Sequence, residues 1–555
     1  MANNRDYKTH PIVKIHRLFL NRKKTIISIY FFAFFAGIIQ LSLPLGIQTI
    51  ISYVLSNTMS TSLVILIGLV VLGVLVGGVI QVSQMKLIEK LQQELFSSYA
   101  LAYAEFLPKI DLGKAQTYLP HKVNHFFDVV TLQKGVAKLL LDVPLASIQL
   151  VFGLLVLSFY HPVFIVFGLF LLFVLVLVMR YSGHKGLETS IKESDYKYKV
   201  AAWLEEIARN LSAFKFTPSS VLNVKRTDED TVNYLNARTS HFKILVFQFW
   251  WLIILKVLIT AVMFVVGTYL LIEQQLSIGQ FIATEIVILT VISAVEKFII
   301  NLETIYDTLT AVNKLDRILE LPEETSGAIE LNSTEQGISL RAEGLSYHNG
   351  IKQVIDDANF TITKGKKVAI VGVGSIGKST LLRLLGGKIQ DYSGTLLIND
   401  LPYTNYTYDS IREETGLLIN HHEIFEGTLL ENLLQSCKPI TTQQIVQIAK
   451  EIGLSSLIED GKDGLNKYLI SDGKNLSQTE MQKILLLRNL IKQPQLLLLD
   501  EPWQAMDDNE KKKIQDYILN QLPQTTVVIV CNDTNFAKKC DVTYQLKGNK
   551  LDIIA

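Results

Sequence analysis

The sequence predicts a chain in two parts, an all-α membrane domain of six transmembrane helices followed by an α/β domain. Three observations carry this expectation. Of 555 residues, 49% are hydrophobic and 19% are charged, too apolar a balance for an ordinary water-soluble chain of that length. The long apolar runs all lie before Ile300. Beyond residue 337, short β-rich runs alternate with helical stretches, as in an α/β domain.

Taken in order, apolar runs fall at 25–45, 63–82, 139–159, 163–179, 244–271 and 278–300, each near the ~20 residues that a bilayer requires. The third and fourth are joined only by "YHP", which predicts a tight helical hairpin, with five or seven spans as the alternative counts there. Basic residues set the orientation. Arg17, Arg22, Lys23 and Lys24 precede the first run, Lys86 and Lys90 follow the second, and Arg180, Lys185, Lys192 and Lys197 follow the fourth. The connections on the other side carry neither Lys nor Arg, so both termini are expected in the cytosol. Segments 84–138 and 181–243 keep helical spacing of apolar residues and predict helices continuing out of the bilayer.

The expected organisation is a cytosolic segment at 1–24, a transmembrane domain at 25–320, a linker at 321–337 and the α/β domain at 338–555. The linker is marked by turn formers in "LPEETSGAIELNSTEQG". Formal net charge is only +1 at pH 7, so nucleic acid is not an expected partner. The three cysteines, Cys437, Cys531 and Cys540, have spacings that suit neither a zinc site nor a disulfide framework, and a reducing cytosolic setting fits them.

The chemistry sits in the second part. "KKVAIVGVGSIGKSTLLRLLGG" reads as strand, glycine-rich turn and helix, and matches G-x-x-x-x-G-K-[ST] at Gly372, Gly377, Lys378 and Ser379. Glycines let backbone N–H groups wrap phosphates, Lys378 reaches the β and γ phosphates, and the Ser379 hydroxyl can ligate Mg²⁺. Gly374 and Thr380 belong to the same phosphate-contacting stretch. Downstream, "QLLLLDEP" is a buried-strand run ending in Asp500, a second Mg²⁺ candidate, and Glu501, placed to take a proton from an attacking water.

Six spans ahead of these two motifs resemble the ATP-binding cassette (ABC) exporters, in particular half-transporters that fuse one membrane domain to one P-loop nucleotide-binding domain. The resemblance covers essentially the whole chain. It implies that Tyr347, 25 residues before Gly372, stacks on adenine, and that Asp507 in "AMD" belongs to the D-loop. Three positions depart from the family pattern. Asn420 stands where a glutamine touches Mg²⁺, and Asn532 where a switch histidine acts; an asparagine cannot carry that charge. The signature LSGGQ is "LSQTE", 476–480. Glycines there permit close approach to the γ-phosphate of the opposite domain. Gln478 and Thr479 add side chains, and Glu480 adds a carboxylate facing a polyanion. Ser477-x-x-Glu480 also reads as a capping box. Either Ser477 still meets nucleotide, or this is a capped helix that has stopped recognising phosphate.

"LSLPLGIQTIISYVL" and "AWLEEIARNLSAFKF" are similar to the membrane domains of type I secretion exporters. That resemblance implies ATP-driven export of a protein or peptide by a homodimer or heterodimer in the inner membrane, with a periplasmic adaptor and an outer-membrane channel as partners. It also implies coupling helices near 107–120 and 211–220. Some 24 residues without cysteine precede the first span, so no leader-processing step is expected here. Lipid or small-molecule export, and an ATP-binding regulatory subunit with weak or no hydrolysis, remain alternatives. Within the spans, Lys256 and Glu296 both fall roughly 25 to 30 Å down their helices from Ser277, a matching depth that predicts an ion pair. Glu285 is shallower and lacks a partner at its depth, either facing a translocation cavity or making a helix contact.

Overall fold

The computed structural model describes residues 10–40, 42–55, 61–115, 118–216, 221–332, 337–350, 352–372, 377–419, 423–435, 440–459, 463–504 and 506–554. The chain divides into two compact units at Glu323/Glu324.

The first unit is all helix. It comprises α1 (Pro11–Leu20), α2 (Lys23–Gln40), α3 (Ser42–Leu55), α4 (Thr61–Phe106), the short α5 (Leu112–Ala115) and α6 (Leu119–Val123), then α7 (Asp128–Tyr160), α8 (Val163–Arg209), α9 (Leu211–Lys215), α10 (Leu222–Ile272) and α11 (Ile278–Leu319). Among the described residues, six helical segments are long and apolar enough to cross a membrane. At 47 and 51 residues, α8 and α10 run roughly 70 Å, twice the hydrocarbon thickness, so their polar halves project well beyond it. The first span, expected as one run, is built from α2 and α3. Pro44 near the start of α3 lacks the N–H that an unbroken helix needs there.

Small residues bring α7 and α11 together. A Cβ at Gly135 would sit 2.0 Å from Thr308 Oγ1, and one at Gly153 would sit 2.7 Å from Val291 Cγ2. Without a hydrophobic drive between helices in lipid, such close packing is what holds a bundle together. Several polar side chains inside the unit pair between helices. Lys256 Nζ lies 2.7 Å from Glu296 Oε2, as the matched depths predict. Gln248 donates to Ser182 Oγ and Tyr306 OH at 2.8 Å each, joining α10 to α8 and α11. At the base of the bundle, buried Lys14 of α1 pairs with Glu320 at 2.7 Å. Glu285 is half-buried and makes no hydrogen bond or ion pair among the described residues.

The second unit layers two sheets and helices. In chain order it contains β1 (Leu340–Asn349), β2 (Lys352–Ile362), β3 (Lys367–Val371), α12 (Lys378–Leu385), β4 (Ser393–Ile398), β5 (Leu401–Pro402), α13 (Tyr408–Glu414), β6 (Thr415–Leu418), β7 (Gly427–Thr428) and α14 (Leu429–Leu433). There follow α15 (Thr442–Glu451), α16 (Ser456–Glu459), β8 (Tyr468–Leu469), α17 (Gln478–Ile491), β9 (Leu496–Asp500), α18 (Asp508–Asn520), β10 (Thr526–Val530), α19 (Thr534–Ala537), β11 (Val542–Lys547) and β12 (Lys550–Ile553).

The main sheet runs β12-β11-β3-β10-β9-β6, parallel except for β12. Its central strands, "LLLLD" and "TVVIV", are apolar except at the terminal Asp500 and Thr526, because both faces are covered. One face packs on α17 with Ile484 to Leu487, the other on α12 and the antiparallel sheet β2-β1-β4-β5. This arrangement leaves the carboxyl ends of β3, β9 and β10 side by side, where ligands bind in open α/β sheets.

Candidate nucleotide-binding site

β3 ends at Val371 and α12 begins at Lys378, so the phosphate loop spans the gap between a sheet edge and a helix N-terminus. Gly377 closes it in the left-handed region, φ 101°, where a Cβ would lie 2.9 Å from Val354 Cγ1 and 3.0 Å from the Val354 carbonyl. Only glycine fits there. Lys378 is buried and its Nζ donates to the Gly372 carbonyl at 2.5 Å, so the ammonium is folded back to the end of β3. Ser379 and Thr380 follow in the first turn of α12. Tyr347 pairs with Ile355 across β1 and β2, beside Val354, and packs against the core of this half. Gly374 and Asn420 lie outside the described residues.

Two strands over, β9 delivers Asp500 and Glu501. Glu501 adopts φ 45°, a left-handed backbone that non-glycine residues rarely hold. Three contacts fix it. Its N–H donates to Val530 O at 2.9 Å, its carbonyl accepts from Gln482 Nε2 at 2.7 Å, and its Oε1 accepts from Asn532 Nδ2 at 2.6 Å. Burial, reinforced by the neighbouring Asp500 charge, raises the Glu501 pKa above the ordinary glutamate value; a hydrogen bond to the Asn532 backbone and the Lys378 and Lys511 charges oppose part of that shift. A carboxylate with raised basicity, aimed by a neutral amide, is equipped to accept a proton. Lys378, Asp500 and Glu501 thus act on one another at one end of the sheet.

The turn before α17 is built differently from a phosphate site. Ser477 Oγ accepts from the Glu480 N–H at 3.2 Å, and Ser477 N donates back to Glu480 Oε2 at 2.8 Å, the capping box that the sequence predicts. The other oxygen, Oε1, accepts from Lys467 at 3.1 Å. Burial pushes the Glu480 pKa up, but the Ser477 backbone and hydroxyl together with Lys467 bring it below the usual glutamate value. The helix N-terminus therefore already holds an anion of its own. Asp507 caps α18, its Oδ1 accepting from Asn509 N at 2.9 Å and Glu510 N at 2.8 Å.

Sequence reasoning missed Gln482 and Lys467. Gln482 carries a weak signal, a polar residue on the apolar side of α17. Lys467 carries none, because its meeting with Glu480 depends on the β8 turn.

The loop, the paired carboxylates and the helical unit define an ATP-binding domain attached to a multi-pass membrane domain. Family models agree: residues 26–295 match the ABC transporter transmembrane region and residues 355–504 match the ABC transporter. The chain belongs to the ABC transporters and has the half-transporter architecture of their exporters. Similar proteins include the mesentericin-Y105 transport/processing ATP-binding protein MesD of Leuconostoc mesenteroides, 29% identical over 63% of this chain and 48% of that protein. The lactococcin-A transport/processing ATP-binding protein LcnC of Lactococcus lactis is 23% identical over 96% of this chain and 74% of that protein. An ATP-dependent lipid A-core flippase of Neisseria gonorrhoeae is 26% identical over 50% of this chain and 44% of that protein. For two of these three, the match therefore spans about half of the relative's own length. Among solved structures, a bacterial Atm1-family ABC exporter with ATP bound superposes with TM-score 0.84 over 95% of this chain and 94% of that chain at 16% identity, a likeness of fold.

Proposed function

We propose that this chain is one half of a dimeric ATP-driven exporter of the cytoplasmic membrane, with both termini and the nucleotide domain cytosolic. Its own phosphate loop binds ATP, and turnover at that loop depends on a second half-transporter whose signature retains its glycines. The observation that carries this reading is the contrast between the two helix termini. The α12 terminus follows a glycine-containing stretch, with Gly377 left-handed and Lys378 turned back to the Gly372 carbonyl, whereas the α17 terminus is closed by Glu480 and Lys467. An anion already seated at a helix N-terminus opposes a phosphate brought there by a partner.

Within this reading, backbone N–H groups of the loop and Lys378 hold the phosphates, and Ser379 and Asp500 hold Mg²⁺, which supplies charge neutralisation of the phosphoryl oxygens. Glu501 accepts the proton of the attacking water, and Asn532 fixes the carboxylate in place without adding charge. Tyr347 supports the adenine.

Cargo is proposed to be a peptide or small protein. The relatives named as transport/processing proteins for mesentericin-Y105, lactococcin-A and pediocin PA-1 support this, and the lipid A-core flippases support lipid as the second reading. An adaptor and an outer-membrane channel belong to the first reading.

The test is steady-state ATPase of the full chain in lipid, for wild type, Glu501→Gln and the triple variant Gln478→Gly/Thr479→Gly/Glu480→Gln. Wild type alone is expected to bind ATP and turn over slowly. Restoring the signature is expected to raise turnover roughly tenfold or more, and Glu501→Gln to remove it. Equal rates for wild type and the triple variant would remove the need for a partner.

A further inference from the structure

One face of α8 carries an exposed stripe that passes from apolar to basic residues. Phe173, Val176 and Leu177 are exposed on that face, followed one turn on by Arg180 and Tyr181 and a turn later by His184 and Lys185. These positions recur at helical spacing, so they form one stripe. They line an open groove of about 710 Å³. The stripe runs about 18 Å along the helix axis, close to the depth of one bilayer leaflet.

The groove is divided by chemistry. Its bilayer half is wholly apolar, and its other half presents Arg180, His184 and Lys185. None of these three makes an ion pair among the described residues; Lys185 Nζ lies only over the Tyr181 ring, 5.3 Å from its centroid. The nearest carboxylate along the stripe, Glu188, lies a further turn into solvent, beside Lys192.

Aromatic side chains fix the depth of the boundary. Tyr181 packs on Phe247 of α10 at 5.8 Å, and Phe247 meets Trp251 at 6.3 Å. Trp250 is exposed beside them. Tyr and Trp gather where hydrocarbon gives way to headgroups, so Arg180 and Lys185 sit at phosphate level.

We propose that this groove binds an anionic phospholipid of the cytosolic leaflet, with its phosphate between Arg180, His184 and Lys185 and an acyl chain along Phe173, Val176 and Leu177. The assignment of leaflet rests on the orientation proposed above. A guanidinium and an ammonium flanking one phosphate give charge-assisted hydrogen bonds that a zwitterionic headgroup reproduces poorly. The occupant would brace α8 against α10 where both helices leave the bilayer.

Native mass spectrometry of the detergent-solubilised full chain tests this with equal amounts of dioleoylphosphatidylglycerol and dioleoylphosphatidylcholine. Retention of the anionic lipid over the zwitterionic one by roughly tenfold is expected. Arg180→Gln/Lys185→Gln should abolish that preference, and Arg180→Lys/Lys185→Arg should keep it, which separates charge from misfolding. Leu177→Asn should weaken both lipids together.

Equal retention of the two lipids by wild type would overturn the proposal, as would a preference that survives the double glutamine variant. Displacement by glycerol phosphate as readily as by phosphatidylglycerol would reduce the site to a headgroup-sized anion pocket and overturn the acyl assignment. Lipid found on the monomer and absent from the dimer would make this face a contact between copies. No readout here uses hydrolysis or transport, so a failure leaves the exporter reading intact.

Discussion

Glu501 joins a strained backbone to a tuned side chain. The left-handed φ is held by Gln482 from α17 and by the Val530 carbonyl of β10, while Asn532 orients the carboxylate. If Glu501 is the base, Glu501→Gln should lower the maximal ATPase rate of the assembled transporter by about 10² to 10⁴ and leave ATP binding in place. A loss smaller than tenfold would move the base elsewhere. Its raised pKa has a second consequence. The ionised, basic form is lost on acidification at a higher pH than for an ordinary glutamate, so the acid limb of the rate profile should be shifted upward from where an ordinary glutamate would set it. The Asn532 contact that lowers this pKa comes from its backbone, which Asn532→Ala keeps, so that variant should lower the rate by freeing the carboxylate and leave the limb in place. A limb that moves in Asn532→Ala would show that the amide tunes the carboxylate as well as positioning it.

At the scale of elements, the α17 terminus and the α10–α11 pair make separable predictions. Removing the cap with Ser477→Ala should destabilise the first turn of α17 by about 0.5–2 kcal/mol, read as faster amide exchange at residues 478–481. The sign of its pH dependence follows from Glu480. With a folded pKa below the unfolded one, Glu480 contributes stability above its unfolded pKa and loses it as pH falls through the folded value. Protection of the turn should therefore fall on acidification in wild type and stay flat in Glu480→Gln. In the membrane unit, Lys256→Met or Glu296→Met alone strands a charge, and each should lower the melting temperature more than the double variant does. Equal melting of single and double variants would show the pair to be energetically idle.

Across the whole molecule, the proposed division of labour is asymmetric. This chain supplies a phosphate loop and two carboxylates, one of them the base with the raised pKa, but a signature helix already neutralised from within. Co-expression with a half-transporter bearing an intact signature should give ATPase that depends on Lys378 and Glu501 of this chain; Lys378→Ala should abolish nucleotide binding at this loop. Activity of such a pair that survives Lys378→Ala would place turnover at the other site. The projecting halves of α8 and α10, more than 20 residues each by the length of the helices against the bilayer, give the membrane unit long levers for such a cycle.

Much of this was legible in the chain because it depends on short-range order. Six apolar runs of bilayer length, the strand-loop-helix around Gly377 and the Ser477–Glu480 box are fixed by periodicity and by side chains within a few residues of the backbone they serve. The Lys256–Glu296 pair was also readable, since two helices joined by a tight turn share a common depth scale. Tertiary structure alone decided the rest. Asn532 reaches Glu501 across 31 residues because β9 and β10 run parallel in register. Lys467 meets Glu480 because β8 returns the chain to α17, and Tyr181 meets Phe247 because α8 and α10 pack side by side. Local sequence sets which elements form and what caps them; the packing of elements distant along the chain sets which charges face one another.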